Sequence, residues 1–186
     1  MTDLVIFSGL PGTGKTTLAT RLASELQRPL LCIDDVVGEV PDDAGFSFWD
    51  SKITILLNLL ETQLKTGLDV IVDSVFMNVD RHHAQKLARK YDARFLPIYV
   101  FVSDDHVWRE RVEARLSKSN LKDTADWEQI EHQRRHFRAW EPDTALFLDS
   151  LHPFEQNYAR LLEFLSDWNA NLKPLADIPL VAGKYH

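Results

Sequence analysis

The sequence predicts an α/β fold, a five-stranded parallel sheet with helices on both faces. Three observations carry that reading. Short apolar runs alternate with longer segments of helical spacing. A glycine-rich turn joins the first run to the first helix. The length, 186 residues with 45% hydrophobic and 26% charged, suits one globular domain with a short appendage.

Leu4-Val5-Ile6-Phe7 reads as a strand buried on both faces. The first helix opens near Lys15 and runs to Gln27, with Leu18, Leu22 and Leu26 on one stripe. Leu30–Ile33 is the second strand, closed by Asp34-Asp35. Gly38, Pro41 and Gly45 make Val37–Phe46 a loop or broken helix. Phe48–Lys65 is a long helix with Gly67 as its cap. Asp69–Asp73 is the third strand, and Asp80–Tyr91 the helix after it. Phe95–Val102, rich in aromatic and β-branched residues, is the fourth strand. Asp105–Leu116 and Asp126–Trp140 are charged helices, Ala145–Leu148 a short fifth strand, and Phe154–Trp168 the last helix. Beyond Asn169, Pro174 and Pro179 end the regular pattern. The expected organisation is one domain over 1–168 and an irregular tail over 169–186.

A formal net charge of −7 argues against wholesale coating of nucleic acid or anionic membrane. Cys32 is the single cysteine, which excludes an internal disulfide framework and a multi-cysteine zinc site. No apolar run approaches the roughly 20 residues that span a bilayer. Met1-Thr2-Asp3 leads into the first strand without a secretory pattern. The expectation is a cytoplasmic protein without a membrane partner.

The strongest signal is Gly9-Leu10-Pro11-Gly12-Thr13-Gly14-Lys15-Thr16, a complete G-x-x-x-x-G-K-[ST] phosphate-binding loop. A triphosphate presents many closely spaced anionic oxygens. Successive backbone N–H groups converge on them only where side chains do not intervene, hence Gly9, Gly12 and Gly14. The helix opening near Lys15 adds its positive N-terminal end. Expected nucleotide contacts run from Gly9 through Pro11, Gly12, Thr13 and Gly14 to Lys15, Thr16 and Thr17. Lys15 reaches the β- and γ-phosphates, and the Thr16 hydroxyl ligates Mg²⁺. No Asn-Lys-x-Asp element follows a strand, which favours ATP over GTP; Asn171-Leu172-Lys173-Pro174 has the wrong spacing.

In a parallel sheet, the carboxyl ends of the strands face the ligand crevice. Asp34, after the second strand, is the candidate general base, with Asp35 as the weaker alternative. Asp73, ending Val70-Ile71-Val72-Asp73, is the candidate Mg²⁺ acid, and the roles of Asp34 and Asp73 are interchangeable at this stage. Arg111 and Arg115 are four apart and share a helix face. Phosphoryl transfer needs positive charge on the moving group and exclusion of water, so a lid is expected at about 109–125. Arg134, Arg135 and Arg138 alternate with acids and read as a solvated face.

Together, the strand, G-x-P-G-x-G-K-T-T, the aspartate after the second strand, V-I-V-D and the R-x-x-x-R segment resemble a group of small P-loop kinases. The group includes polynucleotide 5′-kinases, chloramphenicol phosphotransferase and zeta toxins. The resemblance spans about residues 3 to 168. It implies a three-layer P-loop NTPase fold with a small helical lid. It also implies Asp34 as catalytic base, Asp73 as the metal acid, Arg111 and Arg115 as lid arginines, and Asp149-Ser150-Leu151-His152 as the adenine-side loop. One departure matters: where polynucleotide kinases of the group place an arginine three residues after the base, this chain has Val37. An apolar residue cannot neutralise an acceptor phosphate. Phe46, Phe48 and Trp49 either stack on an amphipathic acceptor or pack in the core, and Asp42-Asp43 either draws a cationic acceptor or is a solvated loop. The expected activity is an ATP- and Mg²⁺-dependent phosphotransferase acting on a hydroxyl of a small molecule. An RNA or DNA end kinase, or a nucleotide-sensing ATP-binding module, are the alternatives.

Overall fold

Strands apolar on both faces require cover on both sides, and the chain supplies it in alternation. The computed structural model describes residues 2–36, 48–118, 125–167, 172–173 and 175. The strands are β1 (Thr2–Ser8), β2 (Leu30–Cys32), β3 (Val70–Ser74), β4 (Ala93–Phe101) and β5 (Leu146–Asp149). They form one parallel sheet in the order β2-β3-β1-β4-β5. The helices are α1 (Lys15–Leu26), α2 (Ile33–Val36), α3 (Phe48–Lys65), α4 (Asn78–Lys90), α5 (Asp105–Lys118), α6 (Trp127–His136) and α7 (Phe154–Ser166). The three-layer fold expected from the sequence is present. Among the described residues, no helix is long and apolar enough to cross a membrane.

Strand alternation sorts the core into two layers. Leu4, Ile6, Val70 and Val72 face α3 and α4, where Leu56, Leu60 and Ala84 meet them. Val5, Phe7, Ile71 and Ile98 face α1 and α7, against Leu18, Leu22 and Leu161. A third cluster sits on the carboxyl rim: Leu10 and Val75 from the rim loops pack on Trp108 and Val112 of α5 and Ile130 of α6. The rim is therefore roofed by α5 and α6, with the β1–α1 loop beneath them.

α3 spans Phe48–Lys65 as expected and closes through bonds from Gly67 N–H to Leu64 O and Leu68 N–H to Gln63 O. Most other element ends lie within one or two residues of expectation, and two differences bear on the rim. The second strand stops at Cys32, and Ile33–Val36 winds into a helical turn carrying Asp34 and Asp35. α6 ends at His136 rather than Trp140. The cause is Arg81, on α4, which is only 2% exposed. Its guanidinium carbon lies 4.8 Å from the Phe137 ring centroid and 4.6 Å from that of Trp140. The chain leaves the helix at Phe137 in extended geometry, and both rings close over the cation. The Arg81 Nε donates to Phe76 O at 2.8 Å, and burial pushes the group down to about 10.

The amino rim is tied by charge. Asp3 accepts from Arg94 at 2.6 and 2.9 Å and from Arg28 at 3.1 Å, while Arg28 also pairs with Asp69 at 2.9 Å. Burial alone would raise the Asp3 carboxyl; the two arginines outweigh it and hold the group below its ordinary range. The network joins the start of β1, the residue before β3, the second residue after α1 and β4. Its stability contribution is present above the unfolded carboxylate value near 3.9 and is lost as pH falls through the depressed folded value. Asp3→Asn is expected to cost about 2–4 kcal/mol at neutral pH. In urea unfolding, that gap should hold down to about pH 4 and narrow below it. A gap independent of pH would show that the charge on Asp3 is not its source.

Candidate active site

The turn between β1 and α1 lies so close to its surroundings that two positions exclude a side chain. A Cβ on Gly9, at φ +152°, would stand 2.2 Å from Val100 O of β4. A Cβ on Gly12, at φ +81°, would stand 2.8 Å from a Val112 methyl of α5. The loop is then braced from inside and outside. The Thr13 hydroxyl donates to Leu10 O at 2.9 Å, and Trp108 Nε1 donates to Pro11 O at 2.9 Å. α1 follows with no capping side chain and no acid in its first turn. Its first N–H groups are thus left for an anion. Thr16 and Thr17 are exposed on that turn, while Lys15 is buried.

Beside this loop is a cavity of about 100 Å³ whose walls include Lys15, Asp34, Asp73, Ser74, Arg115 and Gln133. Each comes from a different place in the fold. Lys15 opens α1, Asp34 lies on the α2 turn after β2, Asp73 and Ser74 end β3, Arg115 lies on α5 and Gln133 on α6. Register fixes the neighbours of Asp73: it pairs with Phe7 of β1 and Cys32 of β2. The Cys32 thiol lies 3.7 Å from Asp73 Oδ2. Burial, and then the Asp73 charge, push that thiol up to about 11, so it stays protonated and donates.

Asp73 is almost fully buried, and burial raises its carboxyl. Lys15 and a hydrogen bond from Thr16 pull it back, and Asp34 pushes it up again. Asp73 Oδ1 has no hydrogen-bond partner. A buried carboxylate oxygen with free lone pairs, next to a hydroxyl on the first turn of α1, is a hard-oxygen pair suited to Mg²⁺. That ion typically takes one or two protein oxygens and completes its shell with phosphate and water. Among the described residues, no group of three His, Cys, Asp or Glu gathers to form an all-protein cage. Thr16 and Asp73 thus fit the ion the sequence implies.

The structure brings Lys15, Asp34, Asp73 and Arg115 together and leaves Arg111 outside. Arg111 donates to the Ser150 hydroxyl at 2.7 Å and to Ser150 O at 3.1 Å. Two residues four apart share a face but sit one turn apart along the axis. With α5 held at Trp108 and Val112, one turn reaches the cavity and the other reaches the loop after β5. That loop, Asp149–His152, abuts Gly14, whose added Cβ would meet the Ser150 Cβ at 3.9 Å. Asp34 lines the cavity, and Asp35 does not. Val37, Asp42, Asp43, Phe46, the side chains of Phe48 and Trp49, and lid residues 119–124 lie outside the described residues.

Sequence reading missed Trp108 and Gln133. Gln133 had a legible signal: it follows Ile130 by three and precedes Phe137 by four, so it is an amide on the buried stripe of α6.

A family model described as an AAA domain matches residues 4–140. An adenylate kinase isoenzyme 6 homolog of Schizosaccharomyces pombe is 29% identical over 180 residues, covering 90% of this chain and 94% of the relative. Among solved structures, a putative kinase from Chloroflexus aurantiacus superposes with a TM-score of 0.67 at 24% identity, over 88% of this chain and 96% of that one. A sugar kinase from Janibacter superposes with a TM-score of 0.68 at 20% identity, over 94% of this chain and 100% of that one. At these identities the structural likeness is one of fold.

Gly9→Ala should lose measurable ADP binding in calorimetry, since the collision is with backbone that cannot turn aside. Trp108→Phe, which removes the bond to Pro11 and part of the ring packed in the rim cluster, should weaken ADP about fivefold or more. Unchanged affinity in Gly9→Ala would contradict the loop geometry.

Proposed function

We propose that this chain, which belongs to the AAA-domain family of P-loop kinases, transfers the γ-phosphate of ATP to a hydroxyl of a small molecule. The observation that supports this is the convergence of Lys15, Asp34, Asp73 and Arg115, from four separate elements, on one cavity beside the phosphate loop. The loop and the start of α1 hold the phosphates, and Lys15 reaches the β- and γ-oxygens. Asp34 accepts the acceptor's proton as the acceptor oxygen attacks the γ-phosphorus. The bond from that phosphorus to the β–γ bridging oxygen breaks, and ADP departs with the electron pair. Arg115 offsets charge on the transferred group. Mg²⁺, when bound by Thr16 and Asp73, neutralises the β- and γ-oxygens. α5 and α6, with the lid assigned to about 109–125, keep water from competing. The kinase unit is 1–168 and the tail 169–186. A protonated, buried Cys32 fits a reducing, cytoplasmic setting.

A nucleoside monophosphate acceptor is the second reading, favoured by the adenylate kinase homolog. It needs cations for an acceptor phosphate. Among the described residues, the cavity offers Lys15 and Arg115, both engaged by the donor.

Transfer of label from γ-labelled ATP to pooled acceptors tests the reading. Lys15→Ala is expected to cut transfer about 10²–10³-fold. Asp34→Asn should cut it about 10²–10⁴-fold with ATP affinity preserved, and Arg115→Ala about 10³-fold. Full activity in Asp34→Asn would place the base elsewhere. Tight ATP binding with no transfer to any acceptor would favour a nucleotide-sensing module.

A further inference from the structure

Buried polar atoms almost always have partners, so several orphans in one place mark what a ligand supplies. Three residues that line the cavity carry a buried polar atom without a partner: Asp73 Oδ1, Ser74 Oγ and Gln133 Oε1. The first has an occupant in the metal. The other two have none, and they come from opposite walls, β3 and α6. Ser74 is fully buried. Its partner in register, Ser8, is already spent: the Ser8 hydroxyl donates to Val75 O at 2.8 Å. Strand alternation turns Ser74 to the face opposite Asp73, away from the metal side. Gln133 lies between the apolar Ile130 and Phe137 on its stripe, and its Oε1 finds no hydrogen-bond partner.

The chemistry of these atoms narrows the ligand. A glutamine oxygen accepts, and a serine hydroxyl accepts or donates. Neither carries charge. Asp34 and Asp73 repel an anion, and the cations of the cavity sit on the phosphoryl path. Hydroxyls are the smallest neutral groups that both donate and accept, and a kinase acceptor carries at least one. The cavity beside the phosphate loop has room for the reacting end of a small molecule.

We infer that Ser74 and Gln133 form the acceptor subsite of this kinase and recognise the hydroxyls next to the one phosphorylated, so that the acceptor is a neutral polyol or sugar. The inference rests on the kinase reading above. Recognition of this kind is selective because removing a ligand hydroxyl leaves buried polar atoms unpaired.

The test uses the full chain with Mg²⁺ and γ-labelled ATP. The probes are glycerol, erythritol, ribitol, ribose, glucose and inositol, beside ethanol, phenol, AMP and a 5′-hydroxyl oligonucleotide. Transfer to one or more of the polyols or sugars is expected. Gln133→Leu and Ser74→Ala should then raise the KM of that acceptor by about tenfold or more, and shrink the preference for it over its deoxy analogue. The KM of ATP should stay within about twofold, which a misfolded variant would not allow. Gln133→Asn, shorter but still an amide, should fall between Leu and the parent. Transfer only to AMP, the oligonucleotide or the monohydroxy compounds overturns the inference and leaves the kinase reading standing. So does polyol transfer whose KM ignores both substitutions. ATP binding without transfer to any probe overturns the inference and counts against the kinase reading as well.

Discussion

The rim of this sheet depends on how tightly the β1–α1 turn is pressed between β4 and α5. The backbone at Gly9 runs against Val100 O, and the backbone at Gly12 runs against Val112. With no side chain between them, loop amides and the first turn of α1 can point at one space. The brace is mutual. Trp108 donates to Pro11 O, and its ring packs with Leu10, Val75 and Ile130. The roof helices are therefore placed by the same contacts that shape the loop, which sets where Arg115 and Gln133 arrive. An element that looks like a lid in sequence is, at its root, part of the loop's own packing.

Charge is the second constraint. Asp73 carries the cost of burial, which raises its carboxyl, and Lys15 and Thr16 only partly relieve it. Its remaining lone pairs keep that cost in place until a cation arrives. Arg81 shows the opposite solution on the other side of the rim. Two aromatic faces and one carbonyl hold it, and Nη2 is left without a partner. Even pushed down to about 10, it remains charged at neutral pH. It links Phe76, two residues past Ser74, to Phe137, one turn past Gln133. The two walls that carry the orphaned atoms are thereby tied by one buried cation.

What sequence disclosed and what it hid follow from the range of the interactions. The loop from Gly9 to Thr17 was legible because its geometry is local: the amides that meet phosphate are consecutive in the chain. Asp34 and Asp73 were legible because parallel strands all end on one rim. Arg111 was not, because helical spacing says which face a residue occupies and not what stands opposite; Ser150 is 39 positions away. The end of α6 was hidden for the same reason. Trp140 continues the helical pattern, yet it lies against Arg81, 4.6 Å from its guanidinium carbon, a contact that no local pattern announces. Gln133 fell between the two cases. Its place on an apolar stripe was visible, but a polar residue on such a stripe gains meaning only when the wall facing it is known.

The donor and acceptor halves of the site are thus built on different principles. The donor half is a continuous motif made mostly of backbone, and backbone geometry tolerates few substitutions. The proposed acceptor half draws on side chains from α2, β3, α5 and α6, which can change without altering the loop's own residues. Such a division lets one fold serve relatives named for adenylate and for sugars. It also locates this chain's individuality in Asp34, Ser74, Arg115 and Gln133 rather than in its phosphate loop. Of these, the proposed base Asp34 and the proposed charge-offsetting Arg115 could serve any hydroxyl. Ser74 and Gln133 keep buried hydrogen-bonding atoms without partners and have no part in the proposed phosphoryl transfer, which is why the acceptor proposal is placed on them.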